Sequence, residues 1–237
     1  MLDVTNLRPS SRIDFSRVFG DEGADDAWRS VEASLRALAI SDGNGGVNPG
    51  DRRAIFYLTL HLRPRAVLEI GTHVGASTTS FAAALLAGGS DATLDTVDLC
   101  DVNDAATRPW LSQGVARSPR EMVEQLGARA RVRFVVSPSA SYFAQCEETY
   151  DLIFLDGDHS ERAVYEDVTS ALRVLRQAPS RARTARLVAV DPHFVGQGSD
   201  PSGNTSIAAH SAPRRSTARY GPAPTTPLAH SGLAPGK

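Results

Sequence analysis

The segment Val67-Leu68-Glu69-Ile70-Gly71-Thr72-His73-Val74-Gly75-Ala76-Ser77 constrains this chain more than any other. An apolar run carrying one acid meets two glycines with three residues between them, and an alanine-rich stretch follows at once. That order predicts a buried strand, a tight turn and the first turn of a helix. An open α/β sheet presents backbone N–H groups and a helix N-terminus to a ligand in this way. Glu69 narrows the choice of ligand. It repels a pyrophosphate and suits an ammonium group or a ribose hydroxyl.

The rest of the chain reads as strands and helices in alternation. Residues Asp25 to Ile40 carry Trp28, Val31, Leu35 and Leu38 at helical spacing, and a second amphipathic helix follows Pro49 through Ile55, Leu58 and Leu62. Strands are expected at Ala66–Ile70, Thr93–Leu99, Val132–Val136, Tyr150–Leu155 and Leu187–Val190. Helices are expected between them, at Ser77–Leu86, Glu121–Leu126, Tyr142–Cys146 and Glu161–Leu175. The last of these has Val164, Val168, Ala171, Leu172 and Leu175 as its expected buried face. The fold class is therefore α/β, a doubly wound and mostly parallel sheet. The expected organisation is an N-terminal helical segment over 1–47, the α/β domain over 48–194 and a tail over 195–237.

At 237 residues with a formal charge of −2, the chain has no general attraction for nucleic acid or for anionic membranes. The first fifteen residues lack the apolar core of a signal peptide, and no segment approaches the ~20 apolar residues of a membrane span. The default is a soluble cytoplasmic protein with two reduced, unpaired thiols, Cys100 and Cys146. Trp28 and Tyr57 on the N-terminal helices offer a face that a second copy, in a homodimer, covers as readily as the sheet does.

In an open α/β sheet, ligands sit beyond the carboxyl ends of the strands. Glu69, Gly71, Thr72, His73, Gly75 and Ser77 fall at the first such end. Asp98 and Leu99 fall at the second, Ser137 and Ser139 after the third, and Asp156, Asp158 and His159 after the fourth. Asp98 is placed to accept hydrogen bonds from both hydroxyls of a ribose. A dinucleotide-binding dehydrogenase also puts an acid there, but it needs G-x-G-x-x-G, and His73 stands where the second glycine of that motif belongs. His159 is placed to take a proton from a hydroxyl group. Trp110, in the loop from Val102 to Pro119, is expected to cover part of a substrate pocket.

The E-x-G-x-x-x-G pattern resembles the first motif of class I S-adenosylmethionine-dependent methyltransferases. Tyr150 to His159, with the helix through Val168, resembles the Y-D-L-I-F-I-D-G-D-H-S-Y stretch of a bacterial class I O-methyltransferase family. The resemblance spans about Asn48 to Leu175. It implies a Rossmann-like methyltransferase fold, S-adenosylmethionine as cofactor and a hydroxylated small molecule as substrate. Glu69, Gly71, Thr72, His73, Gly75, Ser77, Asp98, Leu99, Ser137, Ser139 and Asp156 would bind the cofactor, with His159 and Asp156 catalytic. Some relatives bind a divalent cation. Asp156 matches the first ligand position of a Mg²⁺ site, and Asp191 stands where a later ligand is expected, although Pro192 follows it instead of Asn.

The resemblance fails beyond Leu175. A long basic connection, Arg176 to Arg183, replaces the usual Pro-Gly-Gly turn. From Gly196 the chain is rich in Ala, Pro, Arg, Ser and Gly without hydrophobic period. This composition predicts a disordered tail and a sheet without its C-terminal strands, and it is what a high-GC coding region yields when read out of frame. The rival expectation is then an inactive, cofactor-binding remnant of such an enzyme.

Overall fold

The computed structural model describes residues 22–42, 47–89, 91–176, 186–189 and 208–210. Helix α1 (Glu22–Ala37) and helix α2 (Pro49–Leu62) lead into strand β1 (Ala66–Ile70) and helix α3 (Ala76–Ala87). Strand β2 (Thr93–Asp98), the short helices α4 (Pro109–Ser112) and α5 (Pro119–Gln125), and strand β3 (Val132–Val136) follow. Helix α6 (Ser139–Gln145), strand β4 (Leu152–Leu155), helix α7 (Glu161–Val174) and strands β5 (Arg186–Ala189) and β6 (Ala208–His210) complete the order.

Local chemistry sets the helix starts. Asn48 caps α2, accepting from the N–H groups of Gly50 and Asp51, with Pro49 in the first turn where its missing N–H costs nothing. Ser118 and Glu121 form a reciprocal capping box on α5, and the Ser160 hydroxyl accepts from the Ala163 N–H to start α7.

The sheet order is β3-β2-β1-β4-β5-β6, parallel throughout except for the last pair. Alternation along the strands divides two cores. Val67 of β1, Leu94 of β2 and Leu152 and Phe154 of β4 pack with Ile55, Phe81 and Met122 on the side of α2, α3 and α5. Leu68 and Ile70, Val97, and Ile153 and Leu155 pack with Phe143 of α6 and Ala171 of α7 on the other side. Helix α3 is buried from Ala76 to Leu85, wedged between α2 and the sheet.

Three expectations change. The tail does contribute a strand: Ala208–His210 pairs antiparallel with Leu187–Ala189. Three small or polar residues suffice there, because the free backbone edge of β5 supplies the pairing groups and no apolar run is needed. Val168, Ala171 and Leu175 of the expected α7 face do pack toward the sheet, joined by Asp167 and Val174, whereas Val164 and Leu172 are 37% and 43% exposed. Trp110 belongs to the core with Met122 and Val123, on the side of α3 and α5, and is not among the residues that line the cleft beyond the strand ends. The rest of 195–237 and the connection 177–185 lie outside the described residues.

Candidate functional site

The glycine turn after β1 has a steric cause. Gly71 has φ +97°, and a Cβ there would lie 2.0 Å from the carbonyl oxygen of Asp156, so only glycine lets the ends of β1 and β4 approach. Gly75, at φ +79°, begins α3 and would set a Cβ 3.0 Å from Pro119. Between them His73 is held at φ +47°, in the left-handed region.

Asp98 holds that turn. Its Oδ2 accepts from the backbone N–H groups of Thr72 (3.1 Å) and His73 (2.9 Å), and its Oδ1 accepts from Cys100 N–H at 3.0 Å. A carboxylate offers about four lone-pair positions, so one is left toward the cleft. Sequence reasoning assigned Asp98 to a ligand. It is also the clamp that shapes the turn.

Glu69 points from β1 toward α3. It is fully buried, and its Oε2 accepts from the hydroxyls of Thr78 on α3 and Thr96 on β2, both at 2.6 Å. Its Oε1 has no partner. Burial raises the carboxyl to about 7, against the pull of the Ser77, Thr78 and Thr96 hydroxyls. Ser77 and Thr72 are buried beside it, Thr72 sharing a 2.5 Å hydroxyl contact with Thr96. These residues, with Gly75, form the back of the turn and do not line the cleft.

The cleft itself encloses about 520 Å³ beyond the carboxyl ends of β1, β2, β3 and β4, a volume typical of small-molecule sites. Gly71, His73, Asp98 and Leu99 form one wall, with Leu99 69% exposed at its rim. Ser137 and Ser139 form a second. The loop after β4 supplies Asp156, Gly157, Asp158 and His159. Burial raises the Asp156 carboxyl to about 7, and the nearby carboxylates of Glu69 and Asp51 add to the push. His159 Nε2 stands 3.6 Å from Asp156 Oδ1, beyond a direct hydrogen bond. Asp158 accepts from the Ser160 N–H.

Two acids escaped the sequence reading. Asp167 on α7 is buried and lines the cleft, and Asp51 on α2 is buried near enough for its charge to act on Asp156. The signal for Asp167 was its spacing, four residues before Ala171 on a face of small side chains. Asp51 reads in sequence as a first-turn acid answering the helix dipole, which hides its burial.

The metal pair is only half in view. Asp156 lies in the cleft and Asp191 lies outside the described residues, among which no group of three or more metal-binding side chains converges. Among the described residues, too, no helix is long and apolar enough to cross a membrane, and both cysteines are free.

A parallel sheet with an acid-bearing glycine turn after its first strand, a second acid after its second and a cleft at the carboxyl edge defines the class I methyltransferase architecture. Residues 68–179 match the family model described as a methyltransferase domain. A protein of Mycobacterium sp. (strain JLS) named "Putative O-methyltransferase" is 27% identical over 149 residues, which cover 62% of this chain and 60% of that protein. The chain thus spans less than two thirds of the curated relative it matches. The crystal structure of an O-methyltransferase from Bacillus cereus in complex with SAH superposes with a TM-score of 0.50 at 20% identity, covering 79% of this chain and 77% of that one. The cofactor-bound Rv0187 from MTB gives 0.49 at 21% identity, covering 79% and 75%.

Proposed function

We propose that this chain is an S-adenosylmethionine-dependent O-methyltransferase acting on a hydroxyl group of a small metabolite. One observation carries the reading: Asp98 and the Gly71 turn, which suit a nucleoside, share a single cleft with Asp156 and His159, which suit proton removal. The mycobacterial relative's name and the SAH bound by the Bacillus cereus protein support it.

The cofactor fits the residues present. The acceptor position left on Asp98 suits the ribose hydroxyls, Leu99 offers an apolar surface for the base, and Ser137 and Ser139 offer hydroxyls at its edge. Glu69, Thr72, Gly75 and Ser77 act from behind, fixing the turn whose backbone meets the ligand. S-adenosylmethionine supplies an electrophilic methyl group on a sulfonium, so the protein's task is alignment and proton removal. His159, at the rim, takes the proton of the acceptor hydroxyl, and Asp156 stabilises the imidazolium that forms. Of the two expected Mg²⁺ ligands, Asp156 lies in the cleft and Asp191 lies outside the described residues.

Calorimetric titration with S-adenosylhomocysteine tests the cofactor. The folded protein binds it, and Asp98→Ala abolishes or strongly weakens binding. A well-folded protein that takes up no heat with this ligand sinks the reading. Methyl transfer to a panel of hydroxylated metabolites, lost in His159→Ala while cofactor binding persists, tests the base.

A further inference from the structure

Asp167 is a buried acid that the reading above leaves without a task. It sits on α7 on the same face as Ala171 and Val174, is 6% exposed, and lines the cleft. Burial and the charges of Asp158 and Glu166 push its carboxyl up, and the Ser139 hydroxyl at the start of α6 pulls it down, the upward push prevailing. A Cβ on Gly157 would stand 3.8 Å from its Oδ2, so the carboxyl lies against the loop that follows β4. Among the described residues no Lys, Arg or His pairs with it. A carboxylate so enclosed, with one hydroxyl donor and no cation, calls for a further donor from whatever fills the cleft.

Resting on the cofactor assigned above, the ligand has three donor groups: an ammonium, a ribose diol and the exocyclic amine of adenine. Three carboxylates face the cleft with capacity to spare. Asp156 lies against Gly71, at the end of β1 and β4. Asp98 lies at the end of β2, already assigned to the ribose. Asp158 is exposed, and its Oδ1 is taken by the Ser160 N–H. The third is Asp167, on α7 against the loop after β4 and near Ser139, which follows β3.

We propose that Asp167, oriented by Ser139, accepts a hydrogen bond from the exocyclic amine of the cofactor's adenine and makes the cleft selective for adenine over a 6-oxo purine. A carbonyl at that position would face the carboxylate with no proton between them. The site would therefore reject the analogue by leaving a buried acceptor unpaired, which discriminates more strongly than shape alone.

The experiment is calorimetric titration with S-adenosylhomocysteine and with its deaminated counterpart, S-inosylhomocysteine. Wild-type protein is expected to favour the adenine ligand about ten- to a hundredfold, the range of one hydrogen bond to a charged group. Asp167→Asn, whose amide can turn its NH2 toward a carbonyl, is expected to bring the ratio to within a few-fold of one, chiefly by tightening the inosine ligand. Asp167→Ser, which shortens the side chain, is expected to lose the preference by weakening the adenine ligand, and it decides the matter if the asparagine variant does not fold. Equal affinities in the wild type, or an unchanged ratio in a folded variant, overturn the proposal. Failure of the wild type to bind S-adenosylhomocysteine at all overturns the cofactor reading instead.

Discussion

Glu69 and Asp167 are both buried acids on one sheet, and they face opposite ways. Glu69 projects from β1 toward α3, where two threonine hydroxyls close on it, and it does not line the cleft. Asp167 projects from α7 toward the same sheet from the other side, and its surroundings open onto the cleft. Burial raises both carboxyls. A perturbed acid therefore does not locate a site by itself. What separates the two is the direction in which the surrounding shell is incomplete. On the proposed reading, the α2–α3 side frames the turn, and the acid on the α6–α7 side faces the ligand.

The seam between these regions is Gly71, and breaking it should have the largest effect. Gly71→Ala drives a Cβ into the Asp156 carbonyl and strains a backbone at φ +97°. We expect a loss of about 3 kcal/mol or more in chemical denaturation, since overpacking and left-handed strain add. A loss under about 1 kcal/mol would mean that the two strand ends are free to part, and the division between frame and binding side would not hold.

Asp98→Asn tests the clamp that both regions share. The amide keeps one acceptor oxygen in place of two, so at least one of the three N–H groups it now receives is orphaned. We expect a loss of about 1–3 kcal/mol, together with weaker binding of S-adenosylhomocysteine. Asp98→Asn that binds normally while melting lower would confine Asp98 to the frame.

Glu69 makes a pH prediction with a definite sign. Its carboxyl is raised from 4.5 to about 7 in the fold, so the folded state holds a proton that the unfolded chain releases. The associated stability is complete below pH 4.5 and is lost as pH rises through about 7, by up to about 3 kcal/mol. Asp156, raised from 3.8 to about 7, acts in the same direction. Glu69→Gln imitates the protonated acid. It should flatten the fall in Tm between pH 5 and 8, and should move the titration of Asp156 downward by removing one of the charges that raise it. A wild-type Tm that climbs steadily over that range would contradict the assignment.

Much of this fold was legible in the chain. Ala66–Ile70 and Val132–Val136 coincide with the observed strands, because a short, mostly apolar run bounded by turn residues leaves little freedom to shift. The convergence of Asp98, Ser137, Ser139, Asp156 and His159 on one cleft followed from strand order alone. Orientation was harder. On α7 the expected Val168, Ala171 and Leu175 do meet the sheet, but Val164 and Leu172 do not, and the small or polar Ala171 and Asp167 let the helix come close beside the cleft. Glu69 could be placed on a strand but not on a face until Thr78 and Thr96 were known to meet it.

The smallest expected effect comes from a third acid, Asp95, and it separates the openness of a site from the side of the sheet on which it lies. Asp95 is buried on the α6–α7 side, as Asp167 is, yet its shell is complete. Arg133 donates to both its oxygens, at 2.8 and 2.6 Å, and Tyr150 donates to Oδ2 at 2.7 Å while sharing a hydroxyl contact with Tyr142. Tyr150→Phe removes one donor and leaves the guanidinium pair to satisfy the carboxylate. The expected cost is about 1 kcal/mol, with affinity for S-adenosylhomocysteine unchanged, because none of these four residues lines the cleft. Should Tyr150→Phe weaken the ligand as Asp167→Ser is expected to, the whole α6–α7 side would respond as one unit, and the completeness of an acid's own shell would not be what marks the site.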